Sequence, residues 1–294
     1  MQSTRQRKRS HFLDGGAQPD PCPSLPIELG PQGLGVGSWV PGDKHRLLAE
    51  YLFATRRAWA SSAWPQRVLI DPFCAAGRIQ VQGEPFTRDG GAAVAWRESV
   101  EGGFPFTHVL VGDLDGERAR ACAARLQALG APVECFEGPA SKTVPQMVSQ
   151  VPRDALCMAY VDPYNLELLT FDLFEQLARL RVDIAAHFSV MDLTRNVEAE
   201  FDPLRNRFEG TAPGWSIHPP ILAASKRNVA LQFFQYWQAK VQELGFTCST
   251  EKPLVRNNDN APLYRLVFFA KHQLPLRVWG DVARGGDKQM GLDL

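Results

Sequence analysis

The sequence has no charge excess of either sign and no long apolar run. Lysine plus arginine and aspartate plus glutamate number 32 each in 294 residues, so the chain lacks the overall basic field that advertises nucleic-acid binding. No apolar stretch approaches the roughly 20 residues that a bilayer-spanning helix needs, and the opening MQSTRQRKRS leads into no apolar signal segment. We therefore expect a cytoplasmic protein with no membrane partner.

Clustered cysteines are also lacking. The six cysteines are scattered, with no Cys-x-x-Cys pair and no cysteine–histidine cluster at metal-ligand spacing. This pattern argues against zinc and iron–sulfur sites, and we predict no bound metal. Several cysteines lie in apolar segments, which favours buried reduced thiols.

The composition that remains is that of an ordinary globular protein. Apolar residues make up 45% of the chain and charged residues 22%, close to the averages of soluble domains. We predict a single domain over residues 36–280. Residues 1–35, with a basic cluster and many prolines and glycines, are predicted to be a disordered tail, and residues 281–294 are predicted to be a C-terminal tail.

Apolar segments with strand character alternate with amphipathic ones along residues 43–244. Strands alternating with helices predict a mostly parallel α/β sheet with helices on both faces. The antiparallel hairpin predicted over residues 246–272 completes the layout of a Rossmann-like, methyltransferase-type fold. The irregular stretch 191–227 is interpreted as an insertion over the carboxyl edge of the sheet. The predicted strands lie within residues 68–70, 107–115, 132–138, 155–165, 182–192, 246–257 and 262–272, and the predicted helices within 43–60, 90–96, 116–129, 141–151, 168–180 and 228–244.

Ligands of open α/β sheets bind at the carboxyl ends of the strands, and the first three strand ends give candidate cofactor residues. After the first strand, Asp71 heads a loop of small residues that includes Ala75 and Gly77 and lets backbone amides approach a ligand; tight packing is the competing role. Asp113, after the second strand, is a candidate acceptor for ribose hydroxyls. Glu137, after the third, either faces a base ring or is simply exposed.

The fourth strand end carries the sharpest local pattern, Asp162-Pro163-Tyr164-Asn165. In amino-methyltransferases such an acidic or amide residue, followed by proline and an aromatic, accepts hydrogen bonds from the target amine and holds its ring. Termination of a strand and capping of the next helix are the alternative roles of Asp-Pro. We predict Asp162, Tyr164 and Asn165 as catalytic residues.

Three further residues are predicted to reach the cleft from the fifth strand and the insertion. His187 lies near the end of that strand and is either a satisfied polar neighbour or a base. Asp192 and Arg195 follow it and are candidate substrate contacts, with a surface ion pair as the alternative.

Taken together, these motifs resemble those of the three-Cys-motif partner protein (TcmP) family over roughly residues 36–290. The resemblance extends to an opening tryptophan and lysine and to a characteristic late strand. Its matching positions are Trp39, Lys44, Tyr51-Leu52, Asp71, Phe73, Gly77, Arg78, Gly91-Ala92-Ala93, Asp113, Asp162-Pro163-Tyr164 and Leu263 to His272. Ala75 departs from the family's first loop glycine, and Tyr164-Asn165 replaces its more usual Phe-Gly.

The resemblance implies a methyltransferase that uses S-adenosylmethionine, with an amino group of a base or a polar group of a partner as acceptor. It adds Phe73 and Arg78 to the cofactor loop and Lys44 to the candidate substrate residues. The alternative is a non-catalytic partner of a three-Cys-motif protein. A third hypothesis is a nucleic-acid modification factor, with phosphate contacts from the basic tail and from Arg195, Arg205, Arg207, Lys226 and Arg227.

Overall fold

The structure is a computed structural model that describes residues 18–290. Its main sheet joins strands in the spatial order β5-β4-β1-β6-β7-β10-β8, with β9 paired to β10. Strands β1, β4, β5, β6 and β7 are parallel neighbours, and β10 runs antiparallel to β7, β8 and β9. The strand bounds are β1 Arg67–Asp71, β2 Arg78–Gln80, β3 Thr87–Asp89, β4 His108–Asp113, β5 Val133–Glu137, β6 Leu156–Val161, β7 Val182–Ser189, β8 Thr247–Cys248, β9 Leu254–Arg256 and β10 Pro262–Ala270.

Counting only the strands of the main path, the order is 3-2-1-4-5-7-6, with the last-but-one position filled by an antiparallel strand. This is the order of the Rossmann-like, methyltransferase-type fold, and it confirms the predicted fold class. The order reverses at β1, which lies between β4 and β6. Such a reversal opens a crevice at the carboxyl ends of the central strands.

Helices cover both faces of the sheet and divide the core into two apolar layers. One layer packs α1, α2, α3 and α9 against the sheet, and the other packs α4, α5 and α8 together with buried aromatics of the insertion, such as Trp215. The helix bounds are α1 Arg46–Trp59, α2 Gly91–Glu101, α3 Gly116–Ala128, α4 Ala140–Gln150, α5 Phe171–Leu177, α6 Val190–Asn196, α7 Pro219–Leu222, α8 Val229–Glu243 and α9 Gln273–Met290.

The predicted N-terminal tail differs from the structure in residues 18–36, which form a strap across the loop after β1. The wholly buried Arg125 of α3 donates to the carboxylate of Asp20 at 3.0 and 3.1 Å, and one of its nitrogens donates to the carbonyls of both Pro26 and Ala76 at 2.7 Å. Val36 donates to the carbonyl of Gln80 in β2 at 2.7 Å. Disorder was predicted because this segment has few apolar residues to bury, but hydrogen bonds hold it in place instead. The basic cluster predicted for the tail lies in residues 1–17, outside the described residues.

The predicted C-terminal tail at 281–294 also differs from the structure, because α9 continues to Met290. Trp279 is buried and stacks on Phe268 of β10 with ring centroids 4.8 Å apart. An apolar stripe therefore anchors this helix to α1 and the sheet despite its glycines. The insertion at 191–227 contains α6, α7 and several short 3-10 turns. No helix within residues 18–290 has the length and apolar character to cross a membrane.

Candidate functional site

The fold brings three aspartates to the crevice where the strand order reverses. Asp71 is the last residue of β1, Asp113 is the last residue of β4, and Asp162 directly follows β6. These strands are parallel neighbours, with β1 in the centre. The three strand ends predicted from the sequence therefore meet at one site.

The loop after β1 forms one side of this site, which we call the donor end. Asp71 is buried and accepts a hydrogen bond from the Phe73 N–H at 3.1 Å. The Ala75 N–H donates to one oxygen of Asp113 at 3.0 Å, and the Asp115 N–H donates to the other at 2.9 Å. The loop and the end of β4 are thus tied together by backbone amides.

Two residues of the loop have left-handed backbones. Ala75 has a φ of 46° and Gly77 a φ of 71°. A Cβ at Gly77 would approach the Cys122 sulfur to 2.8 Å, so this position needs glycine. Ala75 has a left-handed backbone that a glycine would adopt more easily, and its hydrogen bond to Asp113 offsets part of the strain.

Within residues 18–290, no cation forms an ion pair with either acid of the donor end. Burial raises the pKa of Asp71 well above its usual value, and the nearby charges of Asp162 and Asp113 raise it further. Burial also raises the pKa of Asp113, partly opposed by hydrogen bonds from Asp115 and Ala75. The charge of Arg118 also lowers the pKa of Asp113, but its guanidinium is paired with Glu28 at 2.9 Å and with Asp115 at 3.6 Å. A cationic ligand would therefore be favoured here.

Asp162 forms the other side of the site, which we call the acceptor end, and it does have a cation. The Lys44 ammonium donates to both of its oxygens at 2.7 and 3.1 Å and lies 4.1 Å from the centre of the Tyr264 ring. Lys44 comes from the π-helical turn Val40–His45 that precedes α1. Only 8% of its side chain is exposed, against 18% for Asp162.

Two buried histidines complete the acceptor end. The Nδ1 atom of His187 lies 3.3 Å from an oxygen of Asp162. Neither this atom nor Nδ1 of His45 makes a hydrogen bond within the described residues. Burial lowers the pKa of His187 to about 3 and that of His45 to about 4, so both rings are neutral at pH 7. Burial alone would raise the pKa of Asp162, but the interaction with His187 and the charge and hydrogen bonds of Lys44 lower it to about 2.

Tyr164 and Asn165 follow Asp162 and have different surroundings. The Tyr164 side chain is 81% exposed at the mouth of the site, where its ring is free to contact a substrate. The Asn165 side chain accepts a hydrogen bond from the Leu168 N–H at 3.1 Å and caps a short 3-10 turn. The structure thus gives Asn165 a local structural role.

Several predicted site residues are engaged elsewhere. The buried Arg78 binds Asp89 at 2.5 Å and Thr87 at 2.8 Å, and so fastens the β2–β3 ribbon. Glu137 is exposed and paired with Arg120. Asp192 accepts from the Leu166 N–H at 2.8 Å and from Asn196 at 2.6 Å, which joins α6 to the loop after β6. Arg195 is exposed on the far side of α6 from the buried Leu193.

Sequence reasoning missed three residues at the acceptor end: His45, Tyr160 and the cleft role of Tyr264. Tyr160 lies edge-on to His187, with ring centroids 4.9 Å apart, and its hydroxyl is 3.5 Å from Asp162. A Cβ at Gly91 would come within 2.4 Å of the Tyr160 ring, so α2 approaches the site through a glycine. The adjacent pair Lys44-His45 was the available signal, because both are polar residues on an apolar helix stripe.

Comparisons with known proteins give distant likenesses. An O-methyltransferase from Bacillus cereus in complex with SAH is 9% identical, with 78% of this chain and 80% of that chain covered at a TM-score of 0.42. Trm1 from Pyrococcus horikoshii with S-adenosyl-L-methionine is 9% identical, with 81% and 57% covered at a TM-score of 0.43. No protein-family model matches the sequence, and neither does any curated protein. The fold assignment rests on the strand order, and the TcmP resemblance stays a prediction.

A metal centre has no support in the part of the chain that the structure describes. Residues 18–290 contain no group of three or more histidine, cysteine, aspartate or glutamate side chains placed to hold a metal ion. The groups that the cleft offers for chemistry are carboxylates, imidazoles and aromatic rings.

Proposed function

We propose that this protein is an S-adenosylmethionine-dependent methyltransferase that modifies an amino group. The observation that carries the proposal is the set of three acids at the ends of three adjacent strands, of which Asp162 alone pairs with a cationic side chain in the described part of the chain. Acids buried without a counter-ion favour a positively charged ligand.

Charge distinguishes this cofactor from the dinucleotides that other open α/β sheets bind. S-adenosylmethionine carries a sulfonium and an ammonium against one carboxylate and is a net cation at pH 7. A dinucleotide would bring its pyrophosphate to the loop after β1, beside Asp71, where like charge disfavours it. The electrostatics of the donor end therefore support the methyl donor.

The residues of the donor end fit the polar groups of this cofactor. Asp113 uses one lone pair of each oxygen for the amides of Ala75 and Asp115, so each oxygen keeps capacity for a ribose hydroxyl. Asp71 is the acid that would pair with the ammonium. The small residues of the loop at 75–77 let its backbone approach the cofactor closely. Arg78 is not in this set, because its guanidinium is consumed by the β2–β3 ribbon.

The bound cofactor would supply an electrophilic methyl group, and the chain would supply positioning at the acceptor end. Asp162 is ionised and accepts N–H hydrogen bonds, so it orients the lone pair of an acceptor nitrogen. Tyr164 stands exposed beside it to hold the substrate. His187 lies beside Asp162 with an Nδ1 that makes no hydrogen bond within the described residues, but its pKa of about 3 makes it too weak a base to hold the proton that an amine loses at pH 7.

The proposal is tested by calorimetric titration with S-adenosylmethionine. We expect the wild type to bind in the micromolar range, at about −8 kcal/mol, and Asp113→Ala to bind about a hundredfold more weakly because two hydroxyl contacts are lost. Asp115→Ala is the matched control: it removes an acid two residues away that caps α3 through the Glu117 and Arg118 amides. Absence of heat with the wild type, together with an unchanged Tm, would overturn the proposal.

A second candidate function is a non-catalytic partner that keeps the fold and binds another protein. The observation that favours it is the Lys44–Asp162 pair, which fills the acceptor carboxylate with the chain's own lysine. Exposed apolar side chains on the insertion add a surface for such a partner, led by Leu204 at 95% and Ile217 at 76%. A three-Cys-motif protein is the partner that the sequence resemblance implies. Failure of the titration above would favour this function.

A further inference from the structure

Lys44 stands at the position that the proposed function assigns to the acceptor nitrogen. Its Nζ atom donates to both oxygens of Asp162 and lies over the face of the Tyr264 ring at 4.1 Å. A carboxylate and an aromatic face are the two partners that bind an alkylammonium group most strongly. The site is therefore already built around a primary amine, and that amine belongs to the chain itself.

The charge of this occupant restricts what can replace it. Asp162 is ionised and largely enclosed, with neutral His187 and His45 beside it. A carboxylate that loses a buried cation partner is left uncompensated, which is strongly unfavourable. A neutral amine on an aromatic base would leave the charge unpaired, whereas an aliphatic ammonium would restore the pairing. The electrostatics therefore favour an aliphatic primary amine.

The segment that carries Lys44 has a means of withdrawal. Val40–His45 is π-helical and runs directly into the α-helical Arg46–Trp59. A π-turn holds one residue more than an α-turn, so conversion to α-helix would rotate Lys44 around the axis by roughly 100°, one residue's share of an α-turn. Such a rotation would remove Nζ from Asp162. The exposed Tyr164 marks the side from which an incoming amine would approach.

We infer that the acceptor end is a binding site for an aliphatic primary ammonium group, and that Lys44 is an intramolecular plug which the substrate amine displaces. This inference rests on the proposed function for the identity of the acceptor end, and it names the substrate class. Small alkylamines and lysine side chains share this chemistry. The alternative is a fixed ion pair that serves only to hold the segment in place.

Hydrogen exchange with n-butylammonium as the probe tests displacement in the full-length wild type. We expect saturating n-butylammonium to speed amide exchange in residues 40–46 about tenfold, because the π-turn loses its anchor. n-Butanol, which has the same chain without the charge, is the ligand control and should have no effect. Unchanged exchange in the wild type would overturn the inference and leave Lys44 as a fixed structural residue.

Three variants define the site by calorimetry with the same probe. Lys44→Ala empties it and should bind n-butylammonium about tenfold or more tightly than the wild type, because no plug competes. Lys44→Met fills the same volume without charge and should not gain affinity, and Lys44→Ala combined with Asp162→Asn should lose the gain. No gain in folded Lys44→Ala would also overturn the inference.

Two further titrations identify the source of the amine and separate this inference from the proposed function. Tighter binding of a lysine-containing peptide than of n-butylammonium to Lys44→Ala would indicate protein lysines, and equal binding would indicate small amines; both support the inference. S-adenosylmethionine is titrated into the same wild-type sample. Cofactor binding without any effect of the amine would reject the substrate class alone, whereas an amine effect without cofactor binding would reject the methyltransferase.

Discussion

The donor and acceptor ends of the cleft hold their acids in opposite ways. Asp113 accepts hydrogen bonds from the Ala75 and Asp115 amides and Asp71 from the Phe73 amide, and neither acid forms an ion pair within residues 18–290. Asp162 is bonded by the side chain of Lys44, which comes from a segment 118 residues away. Backbone amides form a fixed frame with room for a cation, whereas a lysine side chain is a replaceable cation. This difference supports the proposal that the cofactor binds at the donor end and that an amine competes with Lys44 at the acceptor end.

Removal of each acid in turn gives the largest expected contrast between the two ends. Asp162→Ala leaves the Lys44 ammonium buried and unpaired, and we expect a loss of about 3 kcal/mol in the free energy of unfolding. Asp113→Ala frees two backbone amides at a half-buried position, for which about 1 kcal/mol is expected. Urea denaturation at pH 7 measures both. Equal losses would show that the two ends are held in the same way and would break the comparison.

The pH dependence of cofactor binding should separate the two ends next. Burial raises the pKa of Asp71 and Asp113, and a bound cation would lower it, so protonation of either acid competes with binding of the cofactor. We therefore expect the affinity for S-adenosylmethionine to fall as pH falls, by up to about tenfold per pH unit for each proton released. Titration in two buffers with different ionisation heats measures the release. Asp71→Asn, whose amide oxygen still accepts from Phe73, should reduce it.

At the donor end, the pH dependence of the stability of the unliganded protein should have the opposite sign to that of cofactor binding. A carboxyl whose pKa is raised on folding binds its proton more tightly in the folded state, so Asp71 and Asp113 contribute stability that is lost as pH rises above 4. The pKa of Asp162 is lowered to about 2, so its contribution to stability is present above pH 4 and is lost as pH falls toward 2.

Proton release on cofactor binding that is the same in the wild type and in Asp71→Asn would remove Asp71 from the cofactor site.

The strand ends of both halves could be predicted from the sequence, because apolar runs stop at the residues where a buried strand meets solvent. Asp71, Asp113 and Asp162 each follow such a run, and the parallel order brings them together. The contacts that complete the site could not be predicted in this way. The Lys44–Asp162 pair joins distant segments, and no local periodicity encodes it.

The same limit applies to predicted residues whose side chains are engaged elsewhere in the structure. Arg78 lies next to the cofactor loop in sequence, but its side chain turns to Asp89 in the β2–β3 ribbon, which the sequence pattern did not reveal. The strap at 18–36 looks disordered by composition, yet Arg125 binds its backbone carbonyls through a single buried guanidinium. Hydrogen bonds to backbone carry almost no residue-type signal, so both features appear only in three dimensions.

The smallest expected effect tests the rigid frame at the donor end. Ala75 has a left-handed backbone, which costs roughly 1–2 kcal/mol for a residue with a Cβ. Ala75→Gly removes this strain but makes the unfolded chain more flexible, at about 0.4–1 kcal/mol. The net expectation is a gain of about 0.5 kcal/mol, measured as a higher Tm. Cofactor affinity should change little, since the amide that binds Asp113 keeps its place.

Gly77→Ala is the matched substitution two residues later, and its effect should have the opposite sign. The new Cβ would meet the Cys122 sulfur at 2.8 Å on a backbone with a φ of 71°, so we expect a loss of about 2 kcal/mol. If Ala75→Gly lowers the Tm instead, the greater flexibility of the unfolded chain outweighs the strain that glycine relieves, and the left-handed backbone at Ala75 costs less than about 1 kcal/mol.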